Sequence, residues 1–342
     1  MINYNSAVGP FSHSKNSSVR IMYTVIATLM PAVVFGIYQF GLHSAWVVLC
    51  CCVVAVVVEF GCLKLMRRDP KACVDGSALL TALLLAMSLP PNAPLWLVSI
   101  GAVFAIVVGK QLYGGLGQNL FNPAMLARVM LLICFPVEMT RWVDPSPIDF
   151  SGNQIRLPTE WLTVDGVTSA TSLGEATESL YIQDLFLGMQ AGSLGETSAF
   201  LLLLGGGILI KKGIIDWVIP VMFLLGIAVP AFISSWIEPE TYLTASTHIF
   251  SGAALLGAFY IATDLVTSPT SLRGQAVYGV GCGLLVWLIR SFGSYPEGVA
   301  FAILVMNAAS PLIDHYLRPS LFGSGERQKS SAKSASNSTS SK

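Results

Sequence analysis

The sequence predicts an all-α polytopic membrane protein of about ten transmembrane helices, arranged as two inverted five-helix repeats. Three observations carry that prediction. The 342-residue chain is 54% hydrophobic and 11% charged, against roughly 25% charged in an ordinary soluble domain. Its apolar residues gather into ten runs, several of them near the ~20 residues that a helix needs to cross the bilayer core. Two stretches, DGSALLTALL from Asp75 and SGAALLGAFY from Ser251, align without gaps at an offset of 176 residues.

Taken in order, residues 1–20 (MINYNSAVGPFSHSKNSSVR) are polar and lack the small-residue cleavage site of a signal peptide, so they read as a cytoplasmic N-terminal segment. Apolar runs then start near Ile21, Ala45, Ala78, Pro94 and Phe121 and define a first repeat over 21–136. Some are short or broken: the third ends at Pro90-Pro91, and the fifth opens on Asn122-Pro123. A polar interval, 137–196, follows. Runs from Thr197, Ile214, His248, Ala276 and Gly298 form the second repeat, 197–318. Residues 319–342 are Ser/Lys-rich and read as a disordered cytoplasmic tail.

Loop charges orient the spans, because Lys and Arg accumulate on the cytoplasmic side. Lys15 and Arg20 precede the first span, and Lys64, Arg67, Arg68 and Lys71 follow the second. Lys110 follows the fourth, Lys211 and Lys212 the sixth, and Arg273 precedes the ninth. Arg318, Arg327, Lys329, Lys333 and Lys342 follow the tenth. All fall on one side if both termini are cytoplasmic. Interval 137–196, with Arg141 and Arg156 against nine acidic residues, then lies outside the cytoplasm.

The 176-residue offset also lays Gly117 on Gly293, Ala124 on Ala300 and Met130 on Met306. Five spans per half is an odd number, so a duplication makes the halves inverted, an arrangement that commonly builds a site near the midplane. Chance similarity between Ala/Leu-rich helices is the competing explanation.

Nineteen basic and nineteen acidic residues cancel, which argues against nucleic acid as a partner. Cys50, Cys51 and Cys52 are consecutive, and Cys62, Cys134 and Cys282 lie in apolar runs. There is no Cys-x-x-Cys pair, and the histidines (13, 43, 248 and 315) are scattered, so no metal site is expected. Glu59 is the clearest charge inside a span. A carboxylate there serves a proton or cation relay, pairs with a neighbour, or snorkels towards Lys64 and Arg67. Asp75 and Asp264 sit beside the third and eighth spans, in positions the repeat makes comparable. The stretch KQLYGGLGQNLFNPAM (110–125) packs Gly115, Asn119 and Asn122 with further glycines and a proline between two spans. Such a break lets backbone approach a ligand, or simply lets helices pack. Its repeat mate, IRSFGSYPEGVAF (289–301), adds Arg290.

The polar interval holds VDGVTSATSLGEA at 164–176. Ser172 and Glu175 fit a helix capping box. Thr171, flanked by Ala170 and Ser172, equally fits an unshielded acceptor for a modifying enzyme.

Four long stretches, in order, resemble one family: DGSALLTALLLAMSLPP, GKQLYGGLGQNLFNPAM, DGVTSATSL and LIRSFGSYPEGVAFAILVMN. The chain is similar to the D subunits of Rnf (Rsx) ion-translocating electron-transport complexes, a family related to the B subunits of Na⁺-translocating NADH:quinone reductase. The resemblance leaves only the tail uncovered. In that family, Asp-Gly-x-(Ser/Thr)-x-Ala-Thr marks the place where a flavin transferase joins FMN, through its phosphate, to the final threonine. The resemblance therefore implies Thr171 as the covalent FMN acceptor, with Asp165, Gly166, Thr168 and Ala170 as recognition residues. It also implies a non-covalent riboflavin, for which Glu59, Asp75, Asp264, Gly115, Asn119, Asn122 and Arg290 form a candidate ion or flavin region. Ser172 stands where many members have proline, and Leu265 departs from a common Asp-Pro-Val-Thr.

By this resemblance the chain is one subunit of a translocase in a bacterial inner membrane, partnered by the A, B, C, E and G subunits. Electron flow between NADH and ferredoxin would be coupled to Na⁺ or H⁺ movement. The chain has no dinucleotide fingerprint or iron–sulfur ligand set of its own. From the residues alone, a self-sufficient solute transporter and a cofactor-free membrane scaffold remain alternatives.

Overall fold

A computed structural model describes residues 17–143, 145, 147, 186–188, 192–196, 198–239, 241–293 and 298–318. Among these residues the chain is helical, with no strand. The first half comprises α1 (Ser18–Phe40), α2 (Leu42–Leu65), α3 (Ser77–Ser88), α4 (Leu95–Ile106) and α5 (Pro123–Cys134). A 3₁₀ segment (Pro70–Asp75) leads into α3, and α4 runs on as a π-turn, Val107–Gln111. The second half comprises α6 (Ala199–Lys211), α7 (Val218–Ile237), α8 (Ala245–Phe250), α9 (Ala254–Leu256, running on as a π-turn, Gly257–Ile261), α10 (Leu272–Phe292) and α11 (Val299–Tyr316).

The helices start where the sequence offers a cap. The side chains of Ser17, Asn122, Ser198, Thr244 and Ser271 each accept a hydrogen bond from a backbone N–H of the first turn, satisfying donors the helix cannot pair internally. Each sequence-predicted run begins within a few residues of a helix. Five helices (α1, α2, α7, α10 and α11) are long and apolar enough to cross a membrane. The others are shorter apolar helices. The twelve residues of α3 or of α5 reach about 18 Å at 1.5 Å per residue, against about 30 Å of hydrocarbon. The eighth predicted run is likewise cut into α8 and α9 at Ser251 and Gly252, the latter with φ +64°. Short helices facing irregular backbone are tolerated at membrane depth only where protein or a polar cavity covers the break.

Several element starts keep the 176-residue offset. Leu42 and Val218 open α2 and α7, and Pro123 and Val299 open α5 and α11. The packing follows the same equivalence: α2 lies along α4 as α7 lies along α10. Contacts between the halves join equivalent helices, α1 with α6 and α5 with α11.

Small residues set the closest approaches. On α10, a Cβ at Gly283 would lie 2.1 Å from the Phe223 carbonyl oxygen, and one at Gly226 of α7 would lie 2.7 Å from that of Val280. Backbone-to-backbone crossings of this kind need glycine, and they replace the hydrophobic drive that helices lack in lipid. A Cβ at Gly205 of α6 would meet the Tyr260 hydroxyl at 2.1 Å and the Thr28 carbonyl oxygen at 2.6 Å. All seven cysteines are free. Cys51 is buried and donates to the Ala82 carbonyl at 3.3 Å, behaving as a small core side chain.

Candidate functional site

The π-turn after α4 is where polar chemistry concentrates. An extra residue in a helical turn rotates the following side chains and loosens the ladder, a geometry found disproportionately at functional sites. Here it turns Lys110 and Gln111 inward, and both are buried. The Lys110 ammonium pairs with Glu59 Oε1 on α2 and also donates to Ser77 Oγ at the start of α3. Gln111 Nε2 donates to the same Glu59 oxygen at 2.9 Å, leaving Glu59 Oε2 and Gln111 Oε1 buried without a partner. Asp75 completes the cluster: its Oδ1 accepts from the Ser77 backbone N–H at 2.8 Å and from the Ser77 hydroxyl.

This corrects one sequence expectation. Lys110 is not an exposed loop charge following the fourth span; it lies in the π-turn that continues α4, is 3% exposed and neutralises Glu59. A lone mid-span carboxylate would cost about 2.5–3.5 kcal/mol on insertion scales, and α4's π-turn supplies the counter-charge. Of the alternatives for Glu59, pairing with a neighbour is the one found.

In front of this cluster lies a narrow cleft, about 80 Å³ in volume, bounded by α1, α3, the end of α4, the end of α6 and the π-turn of the second half. Its polar wall includes Ser77, Lys110, Asn119, Asn122, Thr263 and Asp264; Leu80, Leu84 and Phe259 contribute apolar wall. The cleft thus joins residues from both halves. Asn122 caps α5 through Oδ1, accepting from Ala124 N–H at 3.1 Å and Met125 N–H at 3.3 Å. Its own backbone N–H donates to the Asn307 amide oxygen at 3.1 Å, and the Asn307 NH₂ donates to the Tyr278 hydroxyl at 2.7 Å. Three helices are thereby pinned around the Asn-Pro break. Asp264 sits in the loop after the second π-turn, where Val266 N–H and the Thr267 hydroxyl reach it at 3.4 and 3.3 Å. Burial raises its carboxyl above the ordinary carboxylate value, and those two donors offset the rise in part.

Gly115, with φ +96°, forms the floor of the GGLG turn, beside which the Arg68 guanidinium donates to the Gly114 carbonyl. Of the sequence-predicted residues, then, Asp264, Asn119 and Asn122 line one cleft, Glu59 and Asp75 stand behind it through Lys110 and Ser77, and Gly115 shapes its edge. Arg290 does not join them. It lies near the far end of α10, where its guanidinium donates to the backbone oxygens of His248 and Ser251. Thr171, Asp165, Gly166, Thr168 and Ala170 lie outside the described residues. Sequence reasoning missed Gln111, Tyr260 and the buried Glu196. For Gln111 the signal was its place beside Lys110 at the end of an apolar run; Glu196 was counted only as loop charge. Among the described residues, no group of three or more His, Cys, Asp or Glu could hold a metal ion.

Comparison with known proteins gives consistent matches. The model of a family described as "NQR2, RnfD, RnfE family" matches residues 5–323. The D subunit of an ion-translocating oxidoreductase complex from Stutzerimonas stutzeri is 44% identical over 335 residues, covering 92% of this chain and 95% of its own. Its namesake from Halorhodospira halophila is 43% identical, covering 92% and 94%. Another, from Escherichia coli, is 41% identical, covering 94% and 98%.

Proposed function

Because the chain belongs to the NQR2, RnfD, RnfE family, we propose that it is the flavin-carrying membrane subunit of a complex that couples electron transfer to ion translocation. The observation that carries this is the near-complete coverage of relatives named as the D subunit of an ion-translocating oxidoreductase complex. The chain is one component of such an assembly rather than a complete enzyme, and it works beside the A, B, C, E and G subunits. NADH and ferredoxin are the electron partners this reading takes, and Na⁺ or H⁺ the ion.

The arrangement in the bilayer is ten membrane helices in two inverted halves, with both termini cytoplasmic and interval 137–196 on the periplasmic side of an inner membrane. Element starts recurring at the 176-residue offset, and the pairing of α1 with α6 and α5 with α11, support a pseudo-two-fold relation. The cleft also gathers the start of α1, the ends of α4 and α6 and the loop before α10 at one end of the molecule, as alternating helix directions require.

Thr171 is the residue to which FMN is joined by a flavin transferase, with Asp165, Gly166, Thr168 and Ala170 forming the recognised turn. Flavin bound to the chain supplies one- and two-electron storage, and protein contacts set its potential. In this reading the polar residues around the cleft serve a second, non-covalent flavin such as riboflavin, which enters only when the cleft opens. Asn119, Lys110 and Asp264 offer edge contacts, and Phe259 and Leu80 an apolar wall. Behind it, the unpaired Glu59 Oε2 is the chain's acceptor for a proton or cation, with Lys110 holding its other oxygen in place.

The test is flavin fluorescence of the denatured subunit on a gel, wild type beside Thr171→Ala, with the transferase co-expressed. A band present in the first and lost in the second is the expected result. A dark wild-type band, with the transferase active on a known acceptor, would sink the flavin reading and bring the transporter and scaffold alternatives forward.

A further inference from the structure

The polar groups behind the cleft form a continuous hydrogen-bonded chain from the core to the edge of the protein. Its inner end is Glu59, buried on α2 with Oε2 unpartnered. Glu59 Oε1 accepts from the Lys110 ammonium, the same ammonium donates to Ser77 Oγ, and the Ser77 hydroxyl donates to Asp75 Oδ1. Glu59, Lys110 and Ser77 are buried, whereas Asp75 is half-buried. Every link is a direct contact, so the chain needs no intervening water.

The local fold holds these groups in line. The π-turn after α4 carries Lys110 to a point between α2 and the start of α3. Gly76, at φ +82°, turns the backbone so that Asp75 Oδ1 also accepts from the Ser77 backbone N–H at 2.8 Å. The Tyr23 hydroxyl donates to the Val74 carbonyl at 3.2 Å and ties this turn to α1. Gln111 Nε2, at 2.9 Å, fixes Glu59 Oε1 beside Lys110. Besides Lys110 and Asp75, the titratable groups that act on Glu59 among the described residues are the Cys62 and Cys73 thiols, and neither is a link in the chain.

We propose that this chain is a proton relay between Glu59 and Asp75, an inference that rests on the reading of Glu59 as an acceptor and commits it to a proton. Transfer needs groups within hydrogen-bond reach, and a serine hydroxyl both accepts and donates. Lys110 passes an N–H proton to Ser77 Oγ as Ser77 passes its own proton to Asp75 Oδ1. The Lys110 amine then takes the proton of the Glu59 carboxyl. Lys110 and Ser77 are restored, no electron moves, and one proton has gone from Glu59 to Asp75, which releases it to water. Rotation of the Ser77 hydroxyl resets the chain, and the reverse steps bring a proton in. Linked intramembrane carboxyls serve as proton pathways in pumps and transporters.

The experiment uses the purified complex in lipid vesicles as wild type, Glu59→Asp, Asp75→Asn and Ser77→Ala. Time-resolved infrared spectroscopy follows the C=O stretch of the protonated Glu59 carboxyl after a rapid pH step, and the shift of that band in Glu59→Asp identifies it. Asp75→Asn keeps an acceptor oxygen for both Ser77 donors but takes no proton. Ser77→Ala keeps the backbone N–H bond to Asp75 at the start of α3. Both variants should therefore melt close to wild type, while each slows protonation of Glu59 by on the order of a hundredfold. The wild-type rate should also fall in D₂O, which a network that only holds helices together would not produce. Either variant protonating at the wild-type rate would overturn the relay and leave Glu59 as an acceptor. A wild type with no Glu59 band at any pH would overturn both.

Discussion

Glu59 and Lys110, 51 residues apart, form a buried ion pair whose side chains are 3% and 4% exposed. Neither charge is tolerable alone at that depth. Removing one partner of a buried pair typically costs about 3–5 kcal/mol, because the other is left uncompensated, whereas replacing both with apolar groups is often nearly neutral. Glu59→Gln and Lys110→Met should each lower the thermal stability of the complex in detergent by that order, and the double variant by less than either. Additive losses in this double-mutant cycle would show that the two side chains do not depend on one another.

The α7–α10 crossing is set by backbone contact, and this separates two glycines on one helix. Gly283→Ala drives its Cβ into the Phe223 carbonyl, which cannot move without its helix. Gly281→Ala meets only the flexible end of Met306, 2.6 Å from its terminal carbon. Membrane yield and melting temperature should drop sharply for the first and stay close to wild type for the second. Equal behaviour would mean that the helices are not in this contact.

Asn122 opens α5 by pairing two backbone N–H groups that have no helical partner. Asn122→Ala should cost about 1 kcal/mol, and Asn122→Asp or Asn122→Ser should recover most of it. The readout is thermal unfolding of the three variants. An alanine variant as stable as wild type would remove the cap from the account.

Asp264 gives a pH signature. Its folded carboxyl is raised by burial, whereas the unfolded chain titrates near 3.9. The folded state therefore holds the proton more tightly, so the acid favours folding most below the unfolded value and that benefit is lost as pH rises through the folded one. Asp264→Asn keeps the Oδ1 acceptor for Val266 N–H, presents an NH₂ that can donate to the Thr267 hydroxyl, and carries no charge. It should gain on wild type at pH 8, and the gain should disappear towards pH 4. A difference that stays constant across that range would exclude burial of the carboxylate as its cause.

Several features are legible in the sequence. The helix starts follow from caps and prolines: Ser17, Asn122 and Ser271 are local signals, and local signals survive in the order of residues. The repeat spacing is legible because similar segments keep their separation, and Leu42 with Val218 still marks it. The grouping of Asp264 with Asn119 and Asn122 is visible there only as three polar residues in an oily chain. Their common cleft depends on α1 meeting α6 and the second π-turn across the two halves, contacts between residues far apart in sequence.

By itself the sequence determined the helical class of the fold and the spacing of its similar segments, since composition and periodicity are short-range properties; Thr171 as a flavin acceptor enters only through the family resemblance of a contiguous motif. Tertiary structure alone decided what the charges do. Lys110 looks like a loop lysine because it ends an apolar run, and only the π-turn, which rotates it towards Glu59, makes it a buried counter-ion. Glu196 looks like a boundary charge until folding buries it, and Arg290 until its guanidinium meets the His248 and Ser251 carbonyls. Coulomb energy depends on distance and on the loss of water, and neither is written in the order of residues along the chain.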